Sequence, residues 1–533
     1  MSTATPFPIL INGAWCASAD PTGTFQATNP ATGELLPGVY PVSGPHPVSG
    51  PQDVQAILSA AAAAKAAMRG LDAEVRAQFL DAYAANLEAA KDALVAAANA
   101  ETGLPVEPRL GSVELPRTVN QLRLAAKAVR ARSFARPTID TATGIRCQQE
   151  ALDGAVLVFG PNNFPFAFNA IAGGDFAAAI AAGCPVIAKV HTSHPTTSRL
   201  LAECAVAAAT ATGLPAGAIQ LVYRIAPQLG FAMVESPAVA SVGFTGGRDT
   251  GMRLKEVADR HGKPVYLEMS SVNPVFVLPG VLAERGDALA DEFSGSCMMG
   301  AGQFCTNPGF VVLPAGTAGD AFTAAVVAKF TAATPGVLLG KGGRDAISDS
   351  IKTLTAAGAT VLCGGNPVAE PGYRFENTIL TVSAATFLEN PEALQTEAFG
   401  PVSLFVIADD TAQMSAVAAS LEGNLTGTIY SAASGSDDAA YDVIAPVLRG
   451  KVGRLLNDKM PTGVAVSPAM NHGGPFPATG HPYFTSVGLP AGIERFTMRC
   501  SYDNVRAHRL PAELQDGNPL GIWRSVDGDY TNA

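Results

Sequence analysis

The sequence predicts an α/β fold in more than one domain. Short apolar strands alternate with helices from residue 151 to about 272, the pattern of a parallel sheet covered on both faces. A second alternation of the same kind runs from Asn273 to about residue 470. The 533 residues also exceed the size at which one hydrophobic core stops growing, so two or three domains are expected.

The elements follow in order. Residues 8–40 read as strands and turns, with PILINGAW apolar and NPATGE a turn. From Pro51 to about Arg132 the chain is helical and rich in alanine. Asp53 is placed to cap VQAILSAAAAAKAAM, and Leu80, Tyr83, Leu87 and Ala90 share an apolar face. Residues 133–150 return to strand character around the turn TATG, too little to stand alone. Then come GAVLVFGP (strand), FNAIAGGDFAAAIAAG (helix), PVIAKV (strand) and a helix opening at Ser193. AIQLVY and SVGFTGG carry further strands, DTGMRLKEVADRHG a helix, and PVYLEM a strand. The second unit repeats the theme with NPVFVLPG, FVVLPAG, ATVLCGG, VSLFVIA and GTIYSAA as strands.

Composition excludes several classes. With 48% hydrophobic and 15% charged residues, the chain is a packed globular one. Its net charge of −11 and lack of a basic stripe argue against nucleic-acid binding. No apolar run approaches the roughly 20 residues of a membrane span. The start, MSTATPFPILINGAW, has no basic n-region or long apolar h-region, so a cytoplasmic home is expected. The eight cysteines are scattered without a C-x-x-C pair, which fits reduced thiols. The seven histidines make no H-x-x-x-H or Cys/His cluster along the chain, so no metal site is expected.

Six stretches offer chemistry. GPNNFPF ends the first parallel strand with two amides, Asn162 and Asn163, either an Asx turn or a fixed donor for an oxyanion. AKVHTSHP puts Lys189 at the next strand end, before a helix start near Thr192 and Ser193 that favours anions. Arg224 ends the following strand as a second cation. FTGGRDTG brackets a helix start with Gly246 and Gly251, though it is neither GxGxxG nor a Walker loop. YLEMSSVNP ends a strand with Glu268, which apolar walls would turn into a base near neutral pH. GAGQFCTNP follows a helix whose apolar face is Leu289, Phe293 and Cys297, and its glycines free the backbone around Cys305. QTEAFGPV places Glu397 and Phe399 before a rigid Gly-Pro.

In this order the six stretches resemble the aldehyde dehydrogenase family. The matches are Pro161–Pro165, Lys189, Phe244–Gly246, Glu268, Gly302–Cys305 and Glu397–Pro401, and the likeness runs from about residue 8 to 500. NNFPFAF, SSVNPVF, GAGQFCTNPG, HGGPFPATG and NPLGIW resemble the branch that acts on alpha-ketoglutaric semialdehyde (2,5-dioxovalerate). The resemblance implies a Rossmann-like parallel-sheet cofactor domain (1–132 and 151–272) and an α/β catalytic domain (273–470). A small β oligomerisation element with a C-terminal extension (133–150 and 471–533) completes it, in a homodimer or homotetramer.

It also implies roles. Cys305 is the nucleophile, Asn163 the oxyanion donor, Glu268 the base that activates water. Lys189, Thr192, Arg224, Gly246, Gly251, Glu397 and Phe399 meet the cofactor; Asn162, Phe166 and Arg117 meet the substrate. Several positions depart from the family pattern. Asn162 stands where Trp is common, Val190 where Pro is, Gly247 where Ser is, and Met269-Ser270 where Leu-Gly follows the Glu. Thr192 replaces a Glu that would repel a 2′-phosphate, and Arg224 replaces a Gly, so NADP is expected over NAD. The alternatives are a fatty or general aliphatic aldehyde dehydrogenase and a cysteine thioesterase or esterase. The last needs a Cys–His pair, and no histidine lies near Cys305 in sequence. An idle nucleotide-binding scaffold is disfavoured by the intact Asn163, Glu268 and Cys305.

Overall fold

The computed structural model describes residues 5–43, 52–369 and 371–533. Pro51, where the helical pattern was expected to begin, and Met1–Ala4 of the opening segment lie outside them. The first sheet has seven strands. Their order is Val265–Glu268, Val239–Thr245, Ala155–Phe159, Val186–Lys189, Ile219–Val222, Ile9–Ile11 and Ala14–Cys16. The first five run parallel; the last two are antiparallel. These parallel strands are almost wholly buried, which is why they read as unbroken Val/Ile/Leu/Ala runs. The chain starts at Ala155–Phe159, steps outward twice, then crosses to the other side at Val239. Such a reversal opens a crevice at the carboxyl ends of the strands. Lys189, Thr245 and Glu268 are the last residues of three of them.

The Ala-rich helices pack over this sheet because alanine lets them approach closely. Leu80, Tyr83 and Leu87 are fully buried, as are Leu122 and Phe176. Asp53 does not cap the helix Gln52–Met68 but lies in its first turn, accepting from the Ala19 N–H at 2.8 Å. Asp20 takes the capping role from a distant turn, accepting from the Gln52 N–H at 2.7 Å. The stretch FNAIAGGDFAAAIAAG is helical only over Gly174–Ala182. Residues 168–173 form turns instead, tightened by Gly173, where a Cβ would lie 2.7 Å from the Phe168 backbone.

The second sheet also has seven strands, in the order Thr360–Cys363, Thr378–Ser383, Val402–Ala408, Phe310–Pro314, Val275–Val277, Asn424–Tyr430 and Val452–Asn457. Separate apolar clusters fill its two faces. A five-stranded sheet joins Arg146–Ala151 and Thr138–Ile139 to Thr497–Tyr502, Arg524–Val526 and Asp529–Thr531. The marginal pair at 133–150 thus finds its partner surface in the last forty residues or so of the chain. Arg224–Ile225 pairs with Leu35–Ser43, which sets Arg224 on a short separate sheet just past the first one. Among the described residues, no helix is long and apolar enough to cross a membrane.

Candidate active site

The helix Pro279–Met298 buries Leu289, Phe293 and Cys297 completely. Gly300, Ala301 and Gly302 then take positive φ values of 56°, 55° and 70° in succession. A Cβ on Gly302 would sit 2.0 Å from the Gly400 carbonyl oxygen, so that position requires glycine. The turn presents Cys305 half-buried while Phe304 and Thr306 are buried. Its backbone is pinned: the Asn273 amide donates to the carbonyls of Cys305 and Asn307, each at 2.9 Å. The Asn163 amide donates to the Gln303 carbonyl at 3.0 Å, which brings it against the Cys305 segment. One of its two amide hydrogens is used there.

Three reactive groups meet at this turn. Cys305 Sγ lies 3.3 Å from His472 Nε2, and the same nitrogen lies 3.0 Å from Glu268 Oε1. Ser486 Oγ donates to the other Glu268 oxygen at 3.3 Å. Glu268 and His472 are each 1% exposed. Burial and then the Glu268 charge push the Cys305 thiol well above its ordinary value, against the pull of Arg117. Burial also raises Glu268, but the His472 ring and hydrogen bonds from His472, Cys305 and Ser486 outweigh it, and its pKa falls. The raised pKa expected from apolar walls is therefore corrected: the walls are polar. One imidazole nitrogen faces both a thiol and a carboxylate, so a proton bound in this triangle is within reach of all three.

His472 was not among the sequence candidates. It lies 167 residues from Cys305, and its only trace was the HGG of HGGPFPATG. The fold delivers the Cys–His pair that sequence proximity lacked. Gly473 and Gly474 make this possible, because a Cβ on either would lie 2.1 Å from the Phe484 carbonyl oxygen or 2.2 Å from that of Asn424. The Phe168 ring stands 5.7 Å from the imidazole and braces it.

Arg117 is on the helix Leu115–Ala131, its guanidinium 5.5 Å from the Phe164 ring and 5.2 Å from that of Phe168. Its Nε donates to Gln121 at 3.3 Å, while Nη2 is buried without a partner among the described residues. Burial lowers its pKa, and Glu114 and Cys305 work against that. The expectation for Phe166 is corrected. It is fully buried in the first core cluster, its N–H given to Glu114 at 2.8 Å, so it has no surface to offer a substrate. Phe164 and Phe168, its neighbours on the opposite side of the loop, flank Arg117 instead. Asn162 is half-buried in the same loop.

The cofactor candidates divide into two groups. Lys189 and Arg224 are one: burial and then Arg224 push the Lys189 ammonium down to about 8. Among the described residues neither has an ion pair. Thr192 is half-buried in the turn that follows Lys189. The helix N-terminus expected to attract an anion there is corrected, because the helix starts at Pro195 and Glu101 already occupies it. The Glu101 carboxylate accepts from the Thr196 and Thr197 N–H groups at 2.7 and 2.9 Å. The other group lies across the crevice. Glu397, which burial pushes up to about 7 against hydrogen bonds from Ser270 and Ser271, lines a cleft of about 1020 Å³ with Gly247, Arg248 and Asn424. Phe399 lines a narrow cavity beside it. Gly246 and Gly251 are closely packed on the side a Cβ would occupy, which would lie 2.8 Å from the Phe244 ring and 3.1 Å from the Met269 sulfur, respectively. Gly247 is the open one, with nothing within 4 Å of an added Cβ.

A parallel sheet with a strand-end glutamate, an amide loop and a cysteine on a glycine turn defines the class. The aldehyde dehydrogenase family model matches residues 15–473, and the chain belongs to that family. It is an oxidoreductase that acts on aldehydes. It is 42% identical over 523 residues to alpha-ketoglutaric semialdehyde dehydrogenase 2 of Azospirillum brasilense, covering 96% of this chain and 97% of that protein. It is 37% identical over 466 residues to alpha-ketoglutaric semialdehyde dehydrogenase of Acinetobacter baylyi, covering 86% and 87%. Among solved structures, aldehyde dehydrogenase C of Pseudomonas syringae, complexed with NAD+ and octanal, superposes with a TM-score of 0.77. That match has 21% identity over 94% of this chain and 97% of the other. The 1-pyrroline-5-carboxylate dehydrogenase of Thermus thermophilus gives 0.77 at 21% identity, over 93% and 92%. The last two likenesses speak for the fold.

Proposed function

We propose that the chain oxidises 2,5-dioxopentanoate, alpha-ketoglutaric semialdehyde, to 2-oxoglutarate with NADP preferred over NAD. The observation that carries the chemistry is the Cys305–His472–Glu268 contact beside the Asn163 amide. The names of the two relatives above support the substrate. A nicotinamide dinucleotide fits the residues: Gly247 leaves open space at a helix start, Lys189 and Arg224 lack anionic partners among the described residues, and Glu397 faces the cleft. When bound, that cofactor accepts the hydride that turns the Cys305 hemithioacetal into a thioester.

The protein groups do the rest. His472 takes the proton of a thiol that burial otherwise holds neutral. The free Asn163 amide hydrogen and the Cys305 backbone N–H receive the oxyanion, and each such donor contributes about 10²–10³ in rate. Glu268, kept anionic by its hydrogen bonds, draws a proton from the water that opens the thioester. Arg117 meets the far carboxylate, its bare Nη2 offering a charge-assisted hydrogen bond. The same reading keeps the homodimer or homotetramer, supported by Met498, Trp523 and Tyr530 exposed on or beside the five-stranded sheet.

The test is the absorbance of reduced cofactor with NAD or NADP and a panel of 2,5-dioxopentanoate, succinic semialdehyde, glutaraldehyde and decanal. No signal with any aldehyde rejects the reading; a preference for decanal selects the fatty-aldehyde alternative. Arg117→Gln is expected to raise KM for 2,5-dioxopentanoate by about 10- to 100-fold, the worth of one hydrogen bond to a charge, and to leave decanal within about threefold. Equal losses on both would remove Arg117 from the substrate tail. Thr192→Glu is expected to raise KM for NADP about tenfold, or about 1.4 kcal/mol of like-charge repulsion, and to spare NAD. The reverse ranking would remove the NADP argument.

The Cys–His contact favours one second reading, hydrolysis of activated esters or thioesters at Cys305. Acid release from such an ester without cofactor, at a rate matching aldehyde oxidation, would support it.

A further inference from the structure

Sequence spacing gave no metal site, yet the fold gathers a thiol, an imidazole and a carboxylate whose ligand atoms all lie within 4.8 Å of one another. We infer that Cys305 Sγ, His472 Nε2 and Glu268 Oε1 form a capture site for Zn²⁺, which holds the enzyme inactive by occupying its nucleophile. Zinc bonds of about 2.3 Å to sulfur, 2.0–2.1 Å to nitrogen and 2.0–2.2 Å to oxygen give tetrahedral edges of about 3.3–3.6 Å. The observed edges of 3.3 Å from sulfur to nitrogen and 3.0 Å from nitrogen to oxygen need only a small outward shift. Three protein ligands and one open position make a site that keeps a water or another small ligand on the metal.

The surroundings suit a metal as well. Ser486 holds the second Glu268 oxygen and leaves Oε1 free, and Phe168 fixes the ring plane; such outer partners orient ligands. Cys305 is half-buried, and of the three ligands it alone has appreciable exposed surface. On binding, the S–H bond breaks as a Zn–S bond forms, the Nε2–H of His472 gives way to a Zn–N bond with the ring keeping its single proton on Nδ1, and one proton leaves to solvent, with no change in oxidation state. The thiolate and carboxylate together cancel the dication, so the three ligands and the metal end neutral.

The inference rests on the proposed function only for its inhibitory effect, and binding is measured apart from turnover. The purified full-length protein is titrated with Co²⁺, whose bond to a thiolate gives a sulfur-to-metal charge-transfer band, and then with Zn²⁺. The expected result is one equivalent per chain, displaced by Zn²⁺, with no band in Cys305→Ser. His472→Asn and Glu268→Gln are each expected to weaken binding at least about tenfold. A band that survives in Cys305→Ser, or an affinity unchanged in both other variants, overturns the site. A second measurement needs no substitution: saturating Zn²⁺ should protect Cys305 from iodoacetamide, read by peptide mass, and EDTA should restore labelling. Unprotected Cys305 also overturns the site. Zn²⁺ that binds there without slowing aldehyde oxidation, competitively with aldehyde and reversibly by EDTA, overturns the inhibitory role. A protein that binds Co²⁺ at the thiolate yet reduces no cofactor fails the proposed function alone.

Discussion

Cys305→Ala is expected to lower kcat by a factor on the order of 10⁶, the loss seen when a covalent nucleophile is removed from partners that act as a unit. No neighbouring group can take over. Cys297, eight residues earlier, is fully buried, its thiol pushed up to about 12 by desolvation, and its sulfur accepts from the Asn307 amide in the core. His472 and Glu268 remain in the variant but have no acceptor of the aldehyde carbon. Stability should change little, because Cys305 is half-buried and makes no core contact comparable with Phe304. Steady-state formation of reduced cofactor and the thermal midpoint check this together. A residual rate above about 1% with an unchanged midpoint would mean that hydride transfer proceeds without the thiol, and would dismantle the mechanism.

The parallel sheet was legible because strands buried on both faces must be apolar throughout, and Ala155–Phe159, Val186–Lys189 and Val265–Glu268 are. The glycine turn before Cys305 was legible for a different reason. Positive φ at three successive residues leaves a composition mark that pattern reading detects. What could not be read is what depends on distance between remote parts of the chain. Asp20 caps a helix that Asp53 was expected to cap, and Glu101 fills a helix end expected to be open. Both are acids whose own neighbours in sequence say nothing of their targets. Phe166 and Phe168 alternate along one loop, and only the fold decides which of them faces the core. His472 is the largest of these cases. It reaches Cys305 through a glycine pair whose necessity shows only when Phe484 and Asn424 are in place.

Glu268→Gln should separate the two halves of the reaction. Glutamine keeps the size and the hydrogen-bonding capacity toward His472 and Ser486 but not the charge. Acylation relies on removal of the Cys305 proton, for which His472 remains 3.3 Å away, so a burst of reduced cofactor close to one per chain is expected. Hydrolysis then needs a base for water, and the steady rate should fall by about 10²–10⁴, the usual worth of general base catalysis. His472→Asn makes the opposite prediction, a slowed burst, because the thiol is left neutral by burial and by Glu268. The lowered pKa of Glu268 fixes the pH dependence. A carboxyl held below its ordinary value is anionic above that range, so wild-type hydrolysis should lose rate only as pH falls through the depressed pKa. A burst lost in Glu268→Gln and kept in His472→Asn would exchange the two roles, making the carboxylate the base for sulfur and the imidazole the base for water. Stopped-flow absorbance on the two variants decides between these orders, since sulfur must lose its proton before any cofactor is reduced and water only after.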